Sequence, residues 1–441
     1  MNSLEQLRAG KLAGSRRLNL SCHLEEFPRE IFELADTLEI LDLSNNALSN
    51  LPDDLPKLRH LKILFCSNNR FNHLPKILGD CPQLSMIGFR ANQINTIAPT
   101  SLPSTLRWLV LTDNQISELP TAIGHCTSLK KLMLAGNQLR SLPLSIANCR
   151  QLELLRISAN KFSTLPNELF ELPNLSWLAF SGNPLSTQTA APAFIRQINW
   201  HELVIKQILG EGASGIIYQA EWRTDNATVP VAVKIFKGQL TSDGLPEHEI
   251  AACLRAGTHS NLVSIFGKIS NHPNRAEGLV MKLITPHFKN LAAPPSLDSC
   301  TRDCYPNDHK FSLATISKIA LSIAAAAKHL HANGVMHGDL YAHNILSRDD
   351  DGLSLLSDLG AATLFETEDK SFSEQLQRLE VLAFGRLLAE LLMRNKSISM
   401  STVVHEFKQL QLRCSNPCPA SRPLFAEIEN ILHRLYADIQ T

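Results

Sequence analysis

Between Leu38 and Asn183 the apolar residues fall in one recurring frame, LxxLxLxxNxLxxLP. It is seen in LEILDLSNNALSNLP, LKILFCSNNRFNHLP, LRWLVLTDNQISELP and LKKLMLAGNQLRSLP, with looser copies between and after. The asparagines of the frame, Asn46, Asn69, Asn92, Asn114, Asn137, Asn160 and Asn183, step by 23 residues with a single step of 22. Alternate residues of a strand face opposite ways, so LxL predicts a short strand with its leucines inward. The asparagine amide can donate hydrogen bonds to the backbone of neighbouring turns, which no strand ladder satisfies. A single repeat cannot bury its own apolar face. The pattern therefore predicts a stacked, curved solenoid with a concave sheet, capped in front by the degenerate copy RLNLSCHLEEFP.

After Asn183 the period stops, and PLSTQTAAPAFIRQIN is small, polar and proline-containing. It reads as a cap and linker reaching about His201. From Leu203 the pattern becomes that of strands: an alternating run, the glycine-rich GEGASG with Gly210, Gly212 and Gly215, then IIYQA and VAVKIF. EHEIAACLRAG predicts a helix, and TISKIALSIAAAAKHLHANG a second that ends at Gly334. Two further helical runs, EVLAFGRLLAELL and SRPLFAEIENIL, follow near the end.

The candidate chemistry lies in this second half. A lysine inside an apolar strand is costly unless paired, and Lys234 stands in VAVKIF. Glu247 and Glu249 of the following helix are the candidate partners; the plain alternative for each is a solvated helix face. HGDLYAHNIL places Asp339 and Asn344 five positions apart, and SDLGAA adds Asp358. One carboxylate can orient a hydroxyl nucleophile, while an amide oxygen and a second carboxylate are hard ligands for Mg2+. GxGxxG also occurs in dinucleotide folds, but there it joins a strand to a helix. Here it joins two strands. DDDG at Asp349, Asp350, Asp351 and Gly352 lies between strand runs and reads as a hairpin turn rather than a metal cluster.

The first half, about residues 15–190, resembles the leucine-rich repeat family, and residues 203–441 resemble the protein kinases. HGDLYAHN and SDLG stand where that family has HRDxxxxN and DFG. The resemblance implies an α/β leucine-rich-repeat solenoid (residues 1–190), a linker (191–202) and a two-lobed α+β protein-kinase domain (203–441). It implies an ATP-dependent, Mg2+-requiring protein kinase, serine/threonine-directed. Asp339 would be the base, Lys234 held by Glu249 would bind the nucleotide phosphates, and Asn344 and Asp358 would hold Mg2+. Gly210, Gly212, Gly215, Ile217 and Met281 would line the nucleotide site, with the main chain of 282–284 at the adenine. Met281 is equally a core-packing residue. Small-molecule kinases share HGDxxxxN but are not expected to carry the whole motif series. A nucleotide-binding pseudokinase scaffold is the alternative from another class.

Three departures from the family pattern matter: Gly338, Tyr341 and the missing APE triplet. Gly338 replaces the arginine that in switchable kinases holds a phosphorylated loop, Leu359 replaces the phenylalanine of DFG, and Tyr341 stands where serine/threonine kinases keep a lysine, with His343 the nearby basic residue. Glu380 stands where an aspartate is usual. No APE triplet appears after Gly360, which leaves the glutamate partner of Arg422 unassigned, and residues 285–310 match no motif.

Composition narrows the partners. Forty-two basic residues balance forty-two acidic ones over 441 residues, which gives no electrostatic footprint for nucleic acid. No uninterrupted apolar run is long enough for a membrane span and no signal-like core opens the chain, so the expectation is cytoplasmic. Ten cysteines then read as reduced thiols, with Cys81, Cys126 and Cys149 as small apolar fillers of the repeats. On the concave face the outward residues Ile40, Ile63, Met86, Trp108, Lys131, Leu154 and Trp177, joined by Phe65, Val110 and Met133, form an apolar column. Such a column predicts an accessible docking surface for a protein ligand at Met86, Trp108, Met133 and Trp177.

Overall fold

The computed structural model describes residues 2–186, 196–212, 214–238, 240–241, 243–348, 351–396 and 402–440. Residues 191–195 of the expected linker, Ala213 of the glycine loop, and Asp349 and Asp350 of the DDDG turn lie outside them. The chain forms two compact units, Met1–Leu175 with Asn183–Leu185, and Ser176–Gly182 with Ser186–Thr441.

In the first unit the LxL motifs become strands of three residues: β1 (Arg17–Asn19), β2 (Ile40–Asp42), β3 (Ile63–Phe65), β4 (Met86–Gly88), β5 (Trp108–Val110), β6 (Lys131–Met133) and β7 (Leu154–Arg156). Neighbours pair in parallel one repeat apart, as in Ile63 with Met86 and Trp108 with Lys131. The central residues Leu41, Leu64, Ile87, Leu109, Leu132 and Leu155 are buried. The repeat's LP step has a local cause. Pro120 and Pro143, at φ −66°, lead directly into the short 3-10 turns Thr121–His125 and Leu144–Asn148 that return the chain.

The asparagine ladder both donates and accepts. Asn137 Nδ2 donates to Leu111 O and Leu134 O at 2.9 Å each, and its Oδ1 accepts from Ile116 N at 2.9 Å. The residue is buried, so its removal strands three backbone groups away from water. Each buried group left unsatisfied costs about 1–3 kcal/mol. Asn137→Ala is therefore expected to destabilise the first unit by roughly 3 kcal/mol or more, read as a fall in urea midpoint; a loss below about 1 kcal/mol would contradict the ladder's role. Cys81, Cys126 and Cys149 are buried between repeats, and burial pushes their thiols up to about 12, 11 and 12 respectively.

The concave column differs from expectation. Trp108 and Met133 are half-exposed, but Met86 is buried and Trp177 is 2% exposed. Strands about 4.8 Å apart stack their outward side chains over one another. Thus the Lys131 ammonium lies 4.4 Å from the Trp108 ring, and Trp108 Nε1 donates to Met133 Sδ at 3.4 Å. Trp177 belongs to the second unit and packs there, as described below.

The second unit contains β8 (Trp177–Ala179), β9 (Gln197–Asn199), β10 (Leu203–Glu211), β11 (Gly215–Arg223), β12 (Thr228–Phe236), helix α1 (Pro246–Ala256), β13 (Ile265–Ser270) and β14 (Gly278–Lys282). The last six strands form one sheet in the order β9-β13-β14-β12-β11-β10. Its side toward α1 is closed by Phe236, Ile250, Cys253 and Leu279. Helix α2 (Leu313–Ala332) starts at Ser312, whose Oγ accepts from Thr315 N, and ends before Gly334 at φ +67°. It is the one described helix long and apolar enough to cross a membrane by length and composition. Most of its residues are buried against helix α5 (Phe425–Gln440) and neighbouring strands.

The segment 285–310 is stitched to the catalytic half of this unit. Its strand β15 (Phe288–Asn290) pairs with β16 (Ile345–Arg348), which pairs in turn with β17 (Ser354–Leu356). Asp351 accepts from Lys318, Arg348 and the Leu353 amide in the turn between β16 and β17. The ion pairs and the Leu353 amide bond hold its carboxyl far below the usual carboxylate range. Helices α3 (Lys370–Met393) and α4 (Thr402–Cys414) complete the unit.

Candidate phosphotransfer site

Lys234 lies in β12 between Ile217 of β11 and Leu279 of β14, so strand register alone aims it at one face of the sheet. On that face α1 presents Glu249, and the two side chains form a buried ion pair. Asp358 Oδ1 stands 3.7 Å from the same ammonium. Glu247, one helical face away, is exposed. Burial alone would lower the Lys234 pKa, but Asp358 and Glu249 together raise it above its ordinary value. Burial pushes Glu249 up to about 7 despite the pull of Lys234, and Asp358 adds to the rise. Two carboxylates share one ammonium here. The ammonium stays charged, and the crowding falls on Glu249.

A cleft of about 340 Å³ opens beside this triad, lined by Leu209, Ile217, Ala232, Met281, Leu346 and the chain through Leu283 and Ile284. Leu283 and Ile284 lie beyond the last ladder pair, Val231 with Lys282, and line the cleft. The glycine loop divides in its reasons. A Cβ on Gly215 would meet Ile235 O at 2.5 Å, so that glycine is required by strand approach. At Gly210 and Gly212 a Cβ would meet nothing within 4 Å, so packing does not demand them. Open space on that side leaves backbone that phosphate oxygens can approach.

The loop 337–344 is held from below. His337 Nε2 lies 3.0 Å from Ser357 O, which ties it to the turn carrying Asp358, and its Nδ1 accepts from Asp339 N at 3.2 Å. Asn344 Nδ2 donates to Asp339 O at 2.9 Å and to Asp339 Oδ2 at 2.8 Å. That turns the amide oxygen of Asn344 away from Asp339. Asp358 sits at φ +56°, in the left-handed region, with its Oδ1 accepting from Gly360 N at 3.1 Å. A non-glycine residue held there at a cleft is the kind of backbone strain found at functional sites. The Asp358 side chain is 52% exposed, and Lys234 and the Gly360 amide hold its carboxyl below its ordinary value.

Mg2+ fits this donor set. The cation is commonly held by one or two protein oxygens, with phosphate oxygens and water completing its shell. Asn344 and Asp358, which both line the cleft, would supply such a pair.

Sequence reasoning missed Asp303 altogether and noted Glu380 only as standing where an aspartate is usual, not as a support of the loop. Glu380 is fully buried under the loop and accepts from Gly338 N at 2.6 Å, His337 N at 3.3 Å and His331 Nε2 at 2.6 Å. Asp303, from the segment 285–310, accepts from His343 N at 3.1 Å and lies 2.7 Å from His343 Nδ1. Burial disfavours the His343 cation, but Asp303 outweighs it and raises the pKa. A seventh-residue or helical spacing could have flagged neither, because the partners lie 40 or more residues apart. Arg422, which lacks the family's APE glutamate, donates instead to Asn416 O and Arg378 O, and burial lowers its pKa to about 10.

Known proteins share both halves. Residues 203–383 match the family described as protein tyrosine and serine/threonine kinase, and residues 36–94 and 127–185 match the leucine rich repeat. Over 284 residues the chain is 24% identical to "Probable serine/threonine-protein kinase gdt2" of Dictyostelium discoideum, covering 54% of this chain and 16% of that one. It is 32% identical over 150 residues to "Probable serine/threonine-protein kinase gdt4" of the same organism, covering 34% and 8%. To the ephrin type-A receptor 8 of Homo sapiens it is 24% identical over 291 residues, covering 56% and 27%. The chain thus spans between 8% and 27% of the length of these relatives. It carries leucine-rich repeats followed by a protein kinase domain.

Proposed function

We propose that the chain is an active ATP-dependent protein kinase, serine/threonine-directed, that acts in the cytoplasm. The observation that carries this reading is that Lys234, Glu249, Asn344 and Asp358 line one cleft, while Asp339, hydrogen-bonded to Asn344, borders the adjoining pocket that Glu249 and Asp358 also line. Lys234, fixed by Glu249, is placed to bind nucleotide phosphates. Asn344 and Asp358 would hold Mg2+, which when bound neutralises charge on the phosphate oxygens. Asp339, oriented by Asn344, accepts the hydroxyl proton of the substrate residue as the γ-phosphoryl transfers in line. The abundance of free thiols accords with a reducing compartment.

The repeats would recruit substrate or regulator through the half-exposed Trp108 and Met133. Met86 and Trp177 are withdrawn from that surface by burial. The test is incubation of the purified chain with γ-labelled ATP, Mg2+ and a mixed serine, threonine and tyrosine peptide set. Label on serine or threonine supports the reading, label on tyrosine alone corrects its specificity, and nucleotide binding without turnover leaves a pseudokinase scaffold.

Control should also differ from that of switchable kinases. Gly338 offers no charge to a phosphorylated loop, so phosphatase-treated protein is expected to phosphorylate substrate without a lag. A lag abolished by substituting a serine or threonine between Thr363 and Ser373 would show that loop phosphorylation is required after all.

A further inference from the structure

The departures in the catalytic loop are gathered on one neighbour. Trp177, in β8 of the second unit, stacks on Tyr341 with ring centroids 3.9 Å apart and planes 10° apart. Its Nε1 donates to Leu340 O at 3.1 Å, and the guanidinium groups of Arg386 and Arg302 lie 4.9 and 5.5 Å from its ring. Tyr341 also lies 5.1 Å, centroid to centroid, from the His343 ring, and His343 is held by Asp303. Gly338 belongs to the same arrangement. At φ +74° a Cβ there would come within 2.8 Å of Leu178 O and 2.6 Å of Ala361 O. Phe180 N donates to Thr363 Oγ1 at 3.1 Å, which extends the contact past the Asp358 turn.

We propose that Trp177 is a positioning residue for phosphoryl transfer, clamping the loop through Tyr341 so that Asp339 and Asn344 keep their places without an arginine at 338 or an APE platform. The inference rests on the kinase reading above. The geometry favours a clamp over an inhibitory plug. With β8 seated, the Lys234–Glu249 pair is formed, Asp358 is in place, and Asp339 borders an open pocket with Gly212, Ser214 and Gly360. Leu340 and Tyr341 lie between the two residues that must be held. The Tyr341 and Asn344 amides are already engaged, with Asp339 O at 2.8 Å and Tyr341 O at 3.1 Å, so a shift of Tyr341 propagates to both.

The experiment compares Trp177→Ala and Trp177→Phe in the full chain. A displacement of about 1 Å at such a site costs on the order of 100-fold in rate, so Trp177→Ala is expected to lower kcat by roughly 10- to 100-fold with KM for ATP nearly unchanged. Trp177→Phe, which keeps the stack and loses only the Leu340 bond, should recover most of the loss. Amide hydrogen exchange read in parallel should show Tyr341 and Asn344 losing protection in the alanine variant and keeping it in the phenylalanine one. A raised kcat in Trp177→Ala would overturn the clamp in favour of a plug, and an unchanged kcat would overturn it outright. If Trp177→Ala does not fold, Tyr341→Leu removes the other ring and must give the same split of kcat from KM. If the wild-type chain transfers no phosphoryl group, the kinase reading fails by itself, and unchanged exchange at Tyr341 and Asn344 would then sink the clamp separately.

Discussion

Asp339→Asn is expected to lower phosphoryl transfer by at least about 1000-fold, while leaving ATP affinity within a few-fold of wild type. A positioned general base contributes typically about 10²–10⁴ in rate. Asp339 also orients Asn344, through the 2.8 Å bond to its Oδ2, so the substitution removes a base and loosens a neighbour together. Neither effect reaches the part of the cleft lined by Met281, Leu283 and Ile284. Lys234→Met gives the contrasting pattern. It removes the cation that would meet the nucleotide and leaves Glu249 and Asp358 as uncompensated carboxylates, so affinity and turnover both fall. Single-turnover rates and nucleotide titration of both variants provide the check. Transfer by Asp339→Asn within tenfold of wild type would remove Asp339 from its assigned place.

How much of this was legible in the chain depended on whether the signal was local. The repeats were readable because one backbone problem, unsatisfied turn carbonyls and amides, recurs every 23 residues and is solved each time by asparagine. Lys234 was readable because a charge in an apolar strand has few physical explanations, whereas Glu249 was separable from Glu247 only through the resemblance to the kinases, since both lie on one short helix. Trp177 misled for a related reason. Strand alternation correctly sets which way such a residue points, but it says nothing of what the rest of the chain brings against that face, and the contact made is with Tyr341, 164 positions further along. Asp303 was invisible because segment 285–310 has no period at all and acts only through where β15 docks on β16. The three departures looked like separate losses. Two of them, Gly338 and Tyr341, are one fit to the same strand.

Glu380→Ala is expected to destabilise the second unit by about 3–5 kcal/mol, the usual cost of removing one partner from a buried charged contact. The carboxylate is fully buried and collects three donors, two main-chain amides of the catalytic loop and His331 Nε2. Alanine would leave all three without an acceptor and open a cavity under the loop. Glu380→Gln keeps the volume and one acceptor oxygen, so it should recover part of the loss but not the charge-assisted strength. Burial works against ionisation of this carboxyl, yet His331 and the loop amide prevail and hold it below its ordinary value. A depressed native pKa contributes stability that is present above the unfolded value of 4.5 and lost as the pH falls below it toward the folded value. The wild-type second unit should therefore lose stability on acidification through that window, and the difference from Glu380→Ala should shrink with it. Urea midpoints of both proteins at pH 7 and at pH 4 measure this directly. A gap that stays constant between the two would mean that the contact is steric, and that the charge on Glu380 does not hold the loop.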